Sequence, residues 1–170
     1  SPFAGTGKLP WKVDWAAHWK VIGVTIEGAG KDHASAGGSY DIAMALCKEV
    51  FNYPQPFKLP YEFLLIGGKK MSSSKGLGLK AHDMVKILPA DLGRFLFSRW
   101  DYREQVEFNP AGTMAIADLF DEYDRCWQAY IDGSDKDLAR IFVLAQVAKV
   151  PQKKMIFLPR FREVAQVLQM

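Results

Sequence analysis

The chain has 170 residues, half of them apolar, which suits one globular domain of ordinary size, or one and a piece, with a real core. No apolar run approaches the roughly 20 residues needed to cross a bilayer, and the opening SPFAGTGKLPW lacks the pattern of a secretory signal, so no membrane partner and a cytoplasmic setting are expected. A net charge of +3 is too small to identify a nucleic-acid partner, and Cys47 and Cys126, alone in apolar helical contexts, argue against a disulfide framework or a metal site.

The first ten residues, with Gly5, Gly7 and Pro10, read as a loop. From Asp14 onward Trp15, His18, Trp19 and Ile22 recur at helical spacing, which predicts a helix with Asp14 as N-cap and Gly23 as its stop. That spacing makes Trp15 and Trp19 core residues. VTIE is expected as a short strand, and GAGKDHASAGGSYDIAMALCKEVF as a glycine-rich loop feeding a helix with Ile42, Ala45, Leu46 and Val50 on one face. Pro54, Pro56 and Pro60 punctuate a loop before YEFLLI, expected as one buried strand. This alternation predicts an α/β architecture. Further on, HDMVKIL and DLGRFLFSR read as short helices split by Pro89, and VEFNP as a brief extended piece. TMAIADLFDEYDRCWQAYI and DLARIFVLAQVAK read as long amphipathic helices separated by Asp132, Gly133 and Ser134.

Between YEFLLI and the next helix lies GGKKMSSSKG. Gly-Gly at a strand end removes Cβ atoms and lets backbone amides approach a ligand. Lys70 and Lys75 add point charges, and Ser72, Ser73 and Ser74 add hydroxyl donors, a set suited to wrapping a polyphosphate. Charge developing in a nucleotidyl transfer would be stabilised there without any side chain that attacks or abstracts. The same composition also describes a solvated, flexible Gly/Ser loop, and the spacing of a P-loop is absent. Near the C-terminus, Lys149, Lys153, Lys154, Arg160 and Arg162 interleave with Phe157 and Phe161, a pattern that can track an RNA backbone and that equally fits a solvated face. Asp118, Asp121, Glu122 and Asp124 would repel phosphate and read as bracing their helix, with Asp121 and Arg125 spaced for an i,i+4 pair.

Lys70-Met71-Ser72-Ser73-Ser74 resembles the KMSKS signature of class I aminoacyl-tRNA synthetases. Together with KLPWKVDWAAHWKVIGVTIE, GKDHASAGGSYD and DLFDEYDR, it resembles the class I, archaeal-type lysyl-tRNA synthetase from about Lys8 to about Arg125. The resemblance implies the second half of a Rossmann-like catalytic domain over residues 1–100, carrying the signature loop. A mainly helical region contacting the tRNA stem would follow over residues 101–170. It implies ATP-dependent ligation of L-lysine to tRNA through lysyl-adenylate, with Mg2+ entering as the ATP complex.

By that resemblance Lys70, Ser72, Ser73, Ser74 and Lys75 are catalytic, and Gly30, Asp32, His33, Lys70, Met71, Ser72 and Lys75 contact ATP. Trp11, Asp14, His33 and Tyr61 would form the lysine pocket, and Lys153, Lys154, Arg160 and Arg162 would contact tRNA. Two departures stand out: Ser73 where the second signature lysine usually stands, and Leu77 where an asparagine often follows the glycine. The histidines are His18, His33 and His82, and none forms the His-x-Gly-His signature of the class. The resemblance therefore implies a fragment without the N-terminal half of the catalytic domain, unable by itself to activate lysine. Two other readings share these features: another class I synthetase such as the glutamyl type, and a non-catalytic, truncated tRNA-binding paralogue.

Overall fold

The computed structural model describes residues 2–70, 81–154 and 157–169. The chain divides into two compact units, one of residues 1–63 with 102–104 and the other of 64–101 with 105–170. Both helices and sheets are present, in keeping with a mixed α/β protein. Among the described residues no helix is long and apolar enough to cross a membrane.

The first unit opens with helix α1 (Trp11–Ile22), strand β1 (Ile26–Gly30), the single turn α2 (Lys31–Ala34), helix α3 (Ser39–Glu49) and strand β2 (Phe57–Tyr61). Asp14 does not cap α1. Pro10 holds that position with φ −54°, and its carbonyl accepts the N–H of Val13 and Asp14 at 2.9 and 3.0 Å. Proline is well placed where a helix begins, since its missing N–H would have had no partner there. Asp14 falls in the first turn instead. At the other end Gly23 takes the expected left-handed conformation, φ 80°, and its N–H returns to the Trp19 carbonyl at 3.0 Å.

The strand expected at VTIE is displaced toward the glycines. β1 runs parallel to β2 from Ile26 opposite Phe57 to Gly30 opposite Tyr61. Gly28 lies against the Tyr61 ring, where a Cβ would stand at an ordinary contact distance of 3.5 Å.

The buried face of α3 also differs from the expected one. Tyr40, Ala43 and Cys47 are wholly buried, while Ile42 and Val50 are exposed and Leu46 packs at the core edge. Small residues explain the rotation: Ala43 and Cys47 let α3 approach α1 so closely that the Cys47 thiol lies 3.7 Å from the Ala16 carbonyl. Trp19 and Tyr40 then fill the remaining volume, their rings 5.0 Å apart.

YEFLLI is not one strand. β2 ends at Tyr61 and a second strand, β3 (Leu64–Ile66), belongs to the other unit. There β3 pairs antiparallel with β4 (Lys69–Lys70) and parallel with β5 (Val106–Glu107). The helices follow as α4 (Ala81–Ile87), α5 (Ala90–Ser98), α6 (Ala115–Asp132), α7 (Lys136–Ala145) and α8 (Phe161–Leu168). Pro89 separates α4 from α5 as expected, and Gly133, φ 72°, ends α6. Leu92, Phe95 and Leu96 of α5, Leu119 and Cys126 of α6, and Phe142 and Ala145 of α7 form the buried centre. Phe142 is ringed by Tyr123, Trp127 and Tyr130 at 5.2 to 6.4 Å.

Asp135 caps α7, accepting the N–H of Asp137 and Leu138 at 2.9 and 3.0 Å. The helix stops at Ala145 rather than continuing through VAK. Gln146 turns extended, its side chain donating to the Tyr123 hydroxyl at 2.8 Å and the Phe142 carbonyl at 2.9 Å. The next N–H, of Val147, is taken by the Asp91 carboxylate at 2.8 Å.

Candidate active site

A cavity of about 400 Å³ opens in the first unit. Helix α1 lines it with Trp11, Asp14, Trp15 and His18, which follow one another at the spacing of a single helix face. β1 supplies a floor of Gly28, Ala29 and Gly30, while His33 of α2 and Tyr61 of β2 close the sides. Trp11 and Trp15 are stacked with centroids 5.7 Å apart and planes 29° apart. His33 meets Trp11 edge-on at 5.4 Å. The Trp15 indole N–H donates to Glu27 Oε1 at 2.9 Å. Asp14 and His18 approach to 3.5 Å at the rim.

Five residues expected for the substrate site, Trp11, Asp14, Gly30, His33 and Tyr61, thus surround one cavity. Asp32 does not line it. A Cβ built on Gly30 would come 3.0 Å from Asp32 Oδ1, close enough to shift that carboxylate slightly. Lys58, beside this region, pairs with Asp41 at 2.7 Å and stands 5.2 Å over the Tyr40 ring. That ammonium, with the Gly37 N–H, holds the Asp41 carboxyl below its ordinary value. Burial, reinforced by Glu27, pushes the Tyr40 phenol up to about 12.

The strand–loop expected to meet phosphate begins as a β-hairpin. Gly67 and Gly68 are its two central residues, with φ 58° and 71°, between the paired Ile66 and Lys69. Two successive positive φ angles are what a type I′ turn demands, so the Gly-Gly pair serves the turn. The Gly68 amide donates to both oxygens of the Glu107 carboxylate, at 3.1 and 3.2 Å. Lys70 lies on β4 opposite Leu65. Met71, Ser72, Ser73, Ser74 and Lys75 fall outside the described residues.

In the second unit several basic residues have partners of their own. Arg162 pairs with Asp118, the Phe161 N–H donates to Asp121 at 2.6 Å, and the Phe161 ring stacks on Phe120 at 4.3 Å. Asp121, expected to pair with Arg125, is engaged by α8 instead. Glu122 pairs with the largely buried Arg99. Lys153 stands 5.0 Å over the Tyr130 ring, and Lys154 and Phe157 are exposed. Arg160 and Arg162 border a mixed-charge cavity of about 490 Å³ with the acidic residues of α6. Burial, with Asp121 adding to it, pushes the Asp124 carboxyl up.

A family model described as "tRNA synthetases class I (K)" matches residues 1–148. The chain belongs to the class I (K) tRNA synthetases. Among curated relatives of this synthetase chain, a lysine–tRNA ligase of Methanocaldococcus jannaschii is 41% identical over 93% of the chain and 31% of its own length. A lysine–tRNA ligase of Methanosarcina barkeri is 38% identical over 92% and 29%, and one of Archaeoglobus fulgidus 37% identical over 86% and 32%. The chain thus spans about a third of the length of the curated relatives it matches.

Trp15, His18, Gly28 and Ala29 of this class I chain were not expected at the cavity. Their signal was present: Trp11, Asp14, Trp15 and His18 share one helix face, and two of the four were already assigned to the pocket. The assignment of Trp15 to the core drew on periodicity alone, which marks a face without telling whether a core or a cavity lies against it.

Proposed function

We propose that the chain is part of a cytoplasmic lysine–tRNA ligase that activates L-lysine with ATP and transfers it to tRNA. The observation that carries this reading is the cavity walled by Trp11, Trp15, His33 and Tyr61 with Asp14 at its rim. A lysine side chain needs apolar cover for its four-carbon stem and electron-rich faces near its ammonium, and stacked indoles with a tyrosine ring offer both. Asp14 suits the substrate's α-amino group, and His33 its polar end. Among the described residues Asp14 is the only carboxylate that lines the cavity, and no Lys or Arg lines it. That charge pattern favours a cationic amino acid over glutamate.

In this reading the lysine carboxylate attacks the ATP α-phosphate, forming lysyl-adenylate as the bond to pyrophosphate breaks. Gly30 and Asp32 hold the ribose, while Lys70, Ser72, Ser73, Ser74 and Lys75, with Met71 between them, meet the phosphates. The lysines act through charge that grows as pyrophosphate departs. Mg2+ would come as the ATP complex. The adenylate then gives its lysyl group to the terminal ribose of tRNA. Residues 1–100 would supply the second half of the catalytic domain, and residues 101–170 the stem contacts, through Lys153, Lys154, Arg160 and Arg162. The N-terminal half of the catalytic domain would come from the remainder of a longer protein.

Lysine-dependent ATP–pyrophosphate exchange tests the reading. The complete protein carrying this chain is expected to exchange with lysine and the 170-residue chain alone is not. A preference for glutamate, or no exchange by the complete protein, overturns it.

A further inference from the structure

We infer that Trp15, oriented by the Glu27 carboxylate, is a specificity-determining wall of the amino-acid cavity, with Glu27 as its positioning residue. This rests on the ligase reading and adds two residues to it.

The contrast with Trp19 carries the argument. Both indoles project from α1, and their rings lie 5.1 Å apart. Trp19 is buried to 1% exposure and its indole N–H has no acceptor among the described residues, as a side chain kept for packing tolerates at a cost. Trp15 is only partly buried, lines the cavity and gives its N–H to a carboxylate at 2.9 Å. A hydrogen bond to a charged acceptor fixes a ring plane more firmly than packing alone. Packing completes the alignment: Tyr40 meets Trp15 edge-on at 5.4 Å and 86° behind, and Trp11 stacks on it along the cavity wall.

Glu27 is well placed to hold that geometry. It lies on β1 immediately before the cavity floor at Gly28, its carbonyl is 3.4 Å from the Tyr40 hydroxyl, and its strand neighbour across the sheet is Lys58. A carboxylate behind an indole N–H also shifts electron density toward the ring. The aromatic wall bordering the cavity then attracts an alkylammonium more strongly and repels a carboxylate side chain. The pair therefore selects for a cationic amino acid and against an acidic one.

The test uses ATP–pyrophosphate exchange by the complete protein carrying this chain, with lysine and ATP varied separately. Glu27→Ala and Trp15→Phe are each expected to raise the KM for lysine about tenfold, leaving kcat and the KM for ATP within twofold. Glu27→Gln, which keeps an acceptor without the charge, should recover part of the loss. The double variant should be no worse than either single one, because both remove the same bond. An unchanged KM for lysine, a parallel rise in both KM values, or additive losses would each overturn the inference. Failure of the unsubstituted protein to exchange with lysine would refute the ligase reading itself and take the inference with it.

Discussion

Gly38→Ala probes the turn that brings His33 to the cavity. Gly38 has φ −72° and ψ −176°, a conformation open to any residue, so its backbone is not strained. Space is the constraint. A Cβ there would lie 2.6 Å from the His33 carbonyl oxygen and 2.7 Å from that of Ser35, and both are backbone atoms that cannot swing aside. The Gly38 N–H also donates to the Ser35 carbonyl at 2.9 Å, which ties the turn to the position that clashes. Overpacking against fixed atoms costs about 1–3 kcal/mol. For a unit of this size about 2 kcal/mol lowers the melting temperature by roughly 8–16 °C. Calorimetry of the chain should show the transition of the first unit falling by that amount while the second holds. Gly37 provides the contrast: its φ of +71° resists alanine, but no atom stands within 4 Å of a Cβ there. Gly37→Asn, suited to the left-handed region, should therefore be tolerated while Gly38→Asn is not. If Gly38→Ala melts within 2 °C of the unsubstituted chain, the close approach of the α2–α3 turn is wrong.

Asp124→Asn should stabilise the second unit at pH 7. Its carboxyl is raised above the ordinary value, so the folded state binds the proton more tightly; stability is lost as pH rises through that window, and the gain from asparagine should vanish well below it. Melting curves at pH 3 and pH 7 check the sign, and a larger effect at pH 3 would contradict it. Asp135→Ala removes the two hydrogen bonds that start α7 and should cost about 1 kcal/mol in urea unfolding. Lys70→Ala in the complete protein should lower the exchange kcat about a hundredfold with the KM for lysine unchanged; a loss confined to KM would place Lys70 in ground-state binding.

Helices α4 to α7 of the second unit were legible because their signals are local, whereas α8 was not read from the sequence. Pro89 and Gly133 mark boundaries by φ restriction and a left-handed stop, and each acts within a few residues; the Asp135 cap was not read from the sequence. Where the outcome depended on tertiary partners, the reading slipped. The buried face of α3 is set by how closely Ala43 and Cys47 let α1 approach, which no periodicity within α3 encodes. YEFLLI reads as one apolar run, and only the separate partners of Tyr61 and Leu64 break it into two strands. The Gly-Gly pair was read for ligand access, whereas the hairpin geometry uses it for a turn. At the site, Trp11, Asp14, Gly30, His33 and Tyr61 were named through resemblance, and their spatial convergence depends on the parallel register of β1 and β2. Trp15 was missed because its bond to Glu27 spans strand and helix.

The first unit is discontinuous, since residues 102–104 return to it and the Glu62 N–H donates to the Tyr102 carbonyl at 2.9 Å. During synthesis that bond cannot close until residue 102 has left the ribosome, after α4 and α5 have emerged. β1 and β2 likewise pair across 31 positions, from Ile26 to Phe57, so their sheet waits on a long loop closure. The α6–α7 hairpin, joined by a short turn at Gly133, has no such wait. The first unit therefore closes only after part of the second has been made, and a proteolytic cut anywhere between residues 64 and 101 would sever both units at once.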